Sequence, residues 1–240
     1  MFSVLDMFTI GVGPSSSHTV GPMCAAQAFA SSLEESGAVS RVGRIRVVLY
    51  GSLSLTGLGH GTDRAILAGL EGNVPATVDT DYLLSVRERC AHDGTIHVNG
   101  TNAIAYDDDG DMVFDRWKRL APHPNGMRFQ AFDAQGNIID EQVWYSIGGG
   151  FIRRGRIDDA LISNHEQTPA SSQSPEDSGN DEAAEYGDGV PYPFVSCDGL
   201  IDLCRKHHLS IANVVWANET ARRSPQEVRD RLTRIWNVMS

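Results

Sequence analysis

The chain predicts an α+β fold: a mixed, mainly antiparallel sheet covered on one side by helices, followed by a short all-helical segment. Three observations carry this expectation. Helical spacing of apolar residues gives way to strict alternation within the first two-thirds of the chain. Two turn signals, Asn99-Gly100 and Ala134-Gln-Gly-Asn137, each separate a pair of alternating runs, as hairpin turns do. Beyond Pro191-Tyr-Pro193 the pattern is helical only.

Each element has its own signal. Pro22 falls in a first helical turn, Val20, Met23, Ala26, Phe29 and Leu33 follow at helical spacing, and Gly37 supplies a stop. Residues 45–50 alternate as a strand. A glycine-rich loop is expected over 51–61, then a short helix capped by Thr62, running to Leu70 and ended by Gly72. Another helix is expected over 82–91, followed by strands at 95–98 and 101–106, then a second hairpin from 127–133 and 138–145. Residues 163–189 are Ser-, Gln-, Pro-, Glu-, Asp- and Gly-rich and predict a disordered linker or surface insert. Ser196, Ser210 and Ser224 then cap three helices, the last through a Ser224-Pro-Gln-Glu227 capping box, with Val228, Leu232, Ile235 and Val238 on one face. The expected organisation is a domain over 1–162, a linker over 163–190 and the first helices of a second domain over 191–240.

Composition narrows the function. The 240 residues carry 31 acidic against 20 basic side chains, a net charge of −11, which argues against a nucleic-acid partner. Much of the excess sits in Asp107-Asp-Asp-Gly-Asp111, expected to be a solvated loop, and in 176–188. No apolar run reaches the ~20 residues of a membrane span, and the first residues lack the basic region and cleavage site of a secretory signal. Cys24, Cys90, Cys197 and Cys204 form no metal-binding spacing and read as reduced thiols of a cytoplasmic protein.

The candidate site starts at Gly13-Pro-Ser-Ser-Ser-His-Thr19. Ser15, Ser16, Ser17 and Thr19 offer four hydroxyls, and His18 an imidazole, just before a helix. A cap needs one hydroxyl, so the surplus points to an anion-binding loop at the positive end of the helix dipole. Gly57-Leu-Gly-His60-Gly-Thr-Asp63 joins a strand to a helix but matches neither a dinucleotide fingerprint nor a P-loop. It supports two readings: close backbone approach to a small ligand with His60 available for proton transfer, or a tight loop capped by Thr62 or Asp63. Asn125 reads first as a turn residue. Ser146 is followed closely by Gly148, Gly149 and Gly150, which suit either a backbone wrapping a ligand or a bend. A serine hydrolase would use some of these residue types, but the Gly-x-Ser-x-Gly elbow is absent.

These residues resemble a family. Ser3-Val-Leu-Asp-Met-Phe8 followed by Ile10-Gly-Val-Gly-Pro-Ser-Ser-Ser-His-Thr-Val-Gly-Pro-Met23 is similar to the opening of bacterial iron–sulfur L-serine dehydratases. The similarity continues at Tyr50-Gly-Ser-Leu-Ser-Leu-Thr-Gly57, Gly59-His60, Thr62-Asp63, Asn125-Gly-Met127, Tyr145-Ser-Ile-Gly-Gly-Gly-Phe-Ile152, Pro191-Tyr-Pro193 and Asn218-Glu219, covering nearly the whole chain except 163–189. The resemblance implies an allosteric-substrate-binding-type α+β beta domain. It also implies a helical alpha domain, in cis or as a separate chain, that supplies the cysteines of a [4Fe–4S] cluster, and a homodimer when complete. No cysteine here matches those ligands, so the cluster is expected outside this chain, which would be either a piece of a longer protein or one subunit of a split enzyme, and inactive alone. The implied reaction is deamination of L-serine to pyruvate and ammonia. His60, His18 and Asp63 are the implied catalytic group. Ser15–Ser17, His18, Thr19, Asn125, Ser146 and Gly148–Gly150 would hold substrate. The alternative is a regulatory module that binds serine or another anion without catalysis.

Overall fold

The computed structural model describes residues 3–164 and 189–240. They fall into two compact units, one over 11–164 and one combining 3–10 with 189–240.

The larger unit is built on a seven-stranded mixed sheet. Its centre is β1 (Arg44–Tyr50), flanked on one side by the antiparallel β6 (Gly126–Phe132) and β7 (Ile138–Gly148), with β8 (Phe151–Arg154) at the edge. On its other side β1 meets two short parallel strands in succession. The first is β3 (Asn102–Ala105), itself paired with β2 (Thr95–Val98); the second is β4 (Met112–Asp115). Both predicted hairpins are present. The strands after each were not separately legible because they are short and their apolar residues do not alternate.

One face of the sheet presents Ile45, Val47, Leu49, Met127, Phe129 and Ala131. Against it pack Phe29, Ala30 and Leu33 of α1 (Gly21–Glu35) and Ile66, Leu67 and Leu70 of α3 (Thr62–Leu70). Phe29 stacks on Phe129 with ring centroids 5.2 Å apart. Burial of each such side chain is worth roughly 1.5–3 kcal/mol, so this face supplies most of the core. Helix α4 (Thr80–Asp93) adds Val86 and Cys90 to it.

Three expectations are corrected. The sheet is not covered on one side only: Val48, Tyr50, Val143 and Tyr145 pack with Leu120 of β5 (Lys118–Leu120), which pairs with β9 (Leu161–Ser163) as a second small sheet. The 51–61 segment is not a loop but α2 (Gly51–Thr56) followed by a tight 3-10 turn, Gly57–His60. Its serines, leucines and threonine can be helical because Gly51, at φ +55°, takes the reversal out of β1 where a Cβ would strike the Pro124 carbonyl. The acidic run is not simply solvated. Residues Asp108–Asp111 form a short helix, α5, filling the notch between β3 and β4. There the buried Asp111 carboxylate accepts from Arg44 and from the Asp107 backbone N–H at 2.8 Å. Burial nevertheless pushes its pKa up.

The first two residues of the segment expected as an insert are held in place. Ser163 closes β9, and Asn164 bonds the Trp117 and Arg116 carbonyls at 2.8 and 2.7 Å. Residues 165–188, the remainder of that segment bar Gly189, lie outside the described residues.

The smaller unit holds α6 (Cys197–His207), α7 (Ile211–Thr220) and α8 (Pro225–Met239), each with its predicted serine cap: Ser196, Ser210 and Ser224 accept from the third following backbone N–H. Asn218 clasps the Tyr192 backbone at both its N–H and its carbonyl, 2.9 and 2.7 Å. The Glu219 carboxylate accepts from the Ser3 hydroxyl, the Val4 N–H and Arg223. The strings at 191–193 and 218–219 thus serve architecture. Of the predicted apolar face of α8, Val228 alone is buried, at 1% exposure, while Val238 stands at 62%.

Candidate functional site

Ser15 caps the helix that carries the first half of the site. Its hydroxyl accepts the His18 N–H at 3.1 Å. Residues Ser16–Val20 form one widened, π-type turn that runs directly into α1. The hydroxyl-rich segment, expected as a loop just before the helix, is instead its first turn and sits at the positive end of that helix's dipole.

The surplus hydroxyls form a chain. Ser15 Oγ lies 3.5 Å from Ser17 Oγ, and Ser17 Oγ lies 2.9 Å from His18 Nδ1. The other ring nitrogen, His18 Nε2, meets Ser52 Oγ at 3.1 Å. A neutral imidazole donates at one nitrogen and accepts at the other, so the two serines must play opposite roles toward it. Burial holds the His18 pKa below the ordinary imidazole value, and the charge of His60 lowers it further; the bond to Ser52 opposes both.

His60 comes from the tight turn after α2, and its ring centroid stands 4.9 Å from that of His18. His60 Nδ1 is 2.9 Å from the Thr56 carbonyl. A carbonyl only accepts, so Nδ1 carries the proton and Nε2 keeps its lone pair. That is the tautomer a general base needs.

Asn125 and Ser146 join the same region through the backbone. Ser52 N–H donates to the Pro124 carbonyl at 2.9 Å, Ser146 N–H to the Asn125 carbonyl at 3.1 Å, and Asn125 Nδ2 to the Ser146 carbonyl at 3.2 Å. Ser146 is fully buried and faces the first turn of α1: a Cβ on Gly21 would come within 2.8 Å of its Cβ and nearer still to its Oγ. Its hydroxyl, like that of Ser54, has no hydrogen-bond partner among the described residues. Gly148, Gly149 and Gly150, all at positive φ, make the reversal from β7 into β8. Their placement gives the bend directly.

Two expected roles change. Thr62 does not cap α3; Gly61 stands at that position, and Thr62 Oγ1 instead donates to the His18 carbonyl at 2.5 Å. Asp63 neither orients His60 nor faces an open site. It is buried and paired with Arg87 of α4, which also holds Asp108, itself bonded by the Tyr106 hydroxyl at 2.7 Å. Charge at the start of α3 is drawn to the guanidinium rather than to the imidazole. Sequence reasoning missed Ser52. Its only signal was a hydroxyl directly after a strand and a glycine, a context shared with Ser54.

The cysteines do not assemble a metal centre. Cys90 is buried in α4, Cys24 half-buried in α1, and Cys197 and Cys204 lie on α6. Burial pushes the Cys24 thiol up and the Cys90 thiol up to about 11, away from the thiolate a metal needs. Among the described residues, no three His, Cys, Asp or Glu side chains converge on a metal-sized position.

A serine–histidine cluster at a helix start thus faces a second histidine beside a mixed sheet. Comparison with known proteins names the family: residues 3–156 match the family described as serine dehydratase beta chain, and this chain belongs to it. Over 99% of its length it is 41% identical to an L-serine dehydratase of Streptomyces coelicolor, of which it covers 48%. It is 38% identical over its full length to L-serine dehydratase 2 of Escherichia coli and 34% identical to an L-serine dehydratase of Haemophilus influenzae, covering 48% of each. The chain spans about half the length of the curated relatives it matches. No helix among the described residues is long and apolar enough to cross a membrane.

Proposed function

We propose that this chain forms the substrate-binding half of an L-serine ammonia-lyase, which converts L-serine to pyruvate and ammonia. The observation that carries the reading is the His18–His60 pair, 4.9 Å between ring centroids, at the start of a long helix lined by Ser15, Ser16 and Ser17. The helix end and its hydroxyls favour the substrate carboxylate. His60 Nε2, with its lone pair outward from the Thr56 anchor, takes the α-proton. The His18 imidazole, kept neutral by burial, places no like charge beside a protonated His60. Ser52 and Ser17 fix its ring, and the Asn125–Ser146 backbone pair adjoins Ser52 through the Pro124 carbonyl. Asp63 acts at a distance, by pinning the start of α3 to Arg87.

A [4Fe–4S] cluster belongs to the proposal through the family resemblance. The cysteines here do not fit it, so its ligands would lie in the half of the relatives' length that this chain does not match, and no step above involves it. That half, in cis or as a second chain, and a homodimer complete the proposed enzyme, which would work in the cytoplasm.

The test is binding of L-serine to this chain by calorimetry or by imidazole chemical shifts. L-serine should perturb His18 and His60, and Ser17→Ala should weaken binding about tenfold or more, the value of one hydrogen bond to a charged group. Shifts confined to residues away from both histidines would reject the site.

A further inference from the structure

Two threonines tie the two histidine segments together. Thr19 follows His18, and its Oγ1 donates to the His60 carbonyl at 2.8 Å. Thr62 lies two residues beyond His60, and its Oγ1 donates to the His18 carbonyl at 2.5 Å. Each histidine's carbonyl is therefore held by a hydroxyl from the other histidine's segment. Both threonines are fully buried, so neither bond can be exchanged for water without opening the packing. Each is also backed. Ser15 N–H donates to Thr19 Oγ1 at 3.3 Å, and Gly57 leaves only enough room for the Thr62 side chain, since a Cβ there would come within 2.9 Å of Oγ1. Asp63, next to Thr62, is clamped by Arg87. With both carbonyls fixed and His60 Nδ1 anchored on Thr56, the imidazoles have little freedom to part.

We propose that Thr19 and Thr62 are positioning residues: a reciprocal latch that sets the spacing of the His18 and His60 imidazoles. That this spacing serves a reaction rests on the ammonia-lyase reading; the latch itself does not. Separately, each threonine satisfies one buried carbonyl. Together they cross-link two segments 41 residues apart in sequence at the two points that matter for ring spacing.

The experiment reads the coupling between the rings in the full chain, by NMR titration of the imidazole carbons. His60 is the ionisable group whose charge acts on His18. In the latched chain, His60→Asn should raise the His18 titration midpoint, because it removes the like charge that lowers it. In Thr62→Val the same His60→Asn change should move it by much less, and Thr62→Ser should restore the full effect. Thr19→Val, on the other half of the latch, should behave as Thr62→Val does. A folded valine variant that keeps the full coupling overturns the proposal, as does a latched chain with no coupling. Loss of the folded state in both valine variants assigns the threonines to structure alone and also overturns it. No turnover enters these readings, so absence of serine ammonia-lyase activity would sink the functional reading and leave the latch standing.

Discussion

Gly21→Ala tests the packing that seats the first turn of α1 against the sheet. An alanine Cβ would lie 2.8 Å from Ser146 Cβ, where ordinary contact is 3.4–4 Å, and closer still to Ser146 Oγ. Ser146 is fully buried on β7 and cannot swing into solvent. Overpacking of this kind costs about 1–3 kcal/mol. Alanine recovers up to ~1 kcal/mol of that through its better helix propensity. The net loss should be about 1–2 kcal/mol, a drop of roughly 2–8 °C in Tm for a chain of this size. Ser146→Gly removes both clashing atoms, so the double variant should recover more than the singles predict, with a coupling of about 1 kcal/mol or more. Urea unfolding of the four proteins measures this. A neutral or stabilising Gly21→Ala, or strict additivity with Ser146→Gly, would refute the argument that Ser146 dictates glycine there.

Arg87→Met should cost about 3 kcal/mol in urea unfolding, because it strands the buried Asp63 carboxylate, and Asp63→Asn in the same chain should restore part of it; a loss no larger than that of an exposed salt bridge would contradict the pairing. The His18 pKa is lowered on folding, so the unfolded chain takes up a proton first as pH falls through about 6.5. Its contribution to stability is therefore complete above that pH and lost progressively below it. Urea midpoints should fall on acidification in this window, less steeply in His18→Gln, and a midpoint that rises instead would refute the assignment. Anaerobic treatment with iron and sulfide should leave this chain without the ~400 nm absorbance of a [4Fe–4S] cluster; a band that disappears in Cys24→Ser or Cys90→Ser would show that its own cysteines hold one.

Local signals in the sequence were reliable where the chain is governed by neighbours within a turn or two. The caps at Ser196, Ser210 and Ser224, the strand expected at 45–50 and the two hairpins all follow from residues adjacent to them. What was not legible depends on distant partners. Residues 51–56 become helical because the Pro124 carbonyl receives the Ser52 N–H and Gly51 absorbs the reversal, neither visible from glycine content. Asp111 is buried because Arg44, 67 positions away, waits for it. Asp63 reads in the sequence as part of a catalytic group, whereas Arg87 on the next helix offers it a full charge. Within the site, the meeting of residues 15–19 with His60 followed from the habit of ligand groups collecting at loop ends, but Ser52 and the threonine cross-bonds required three dimensions.

His60 is proposed to move the proton in serine deamination. This is tested most directly by pyruvate formation from L-serine by this chain joined to, or mixed with, the half of its relatives' length that it does not match, prepared anaerobically with iron. Turnover should depend on both parts. In His60→Ala kcat should fall by about 10²–10⁴-fold, with KM little changed, the usual worth of a general base. Near-normal kcat in a correctly folded His60→Ala protein would contradict it.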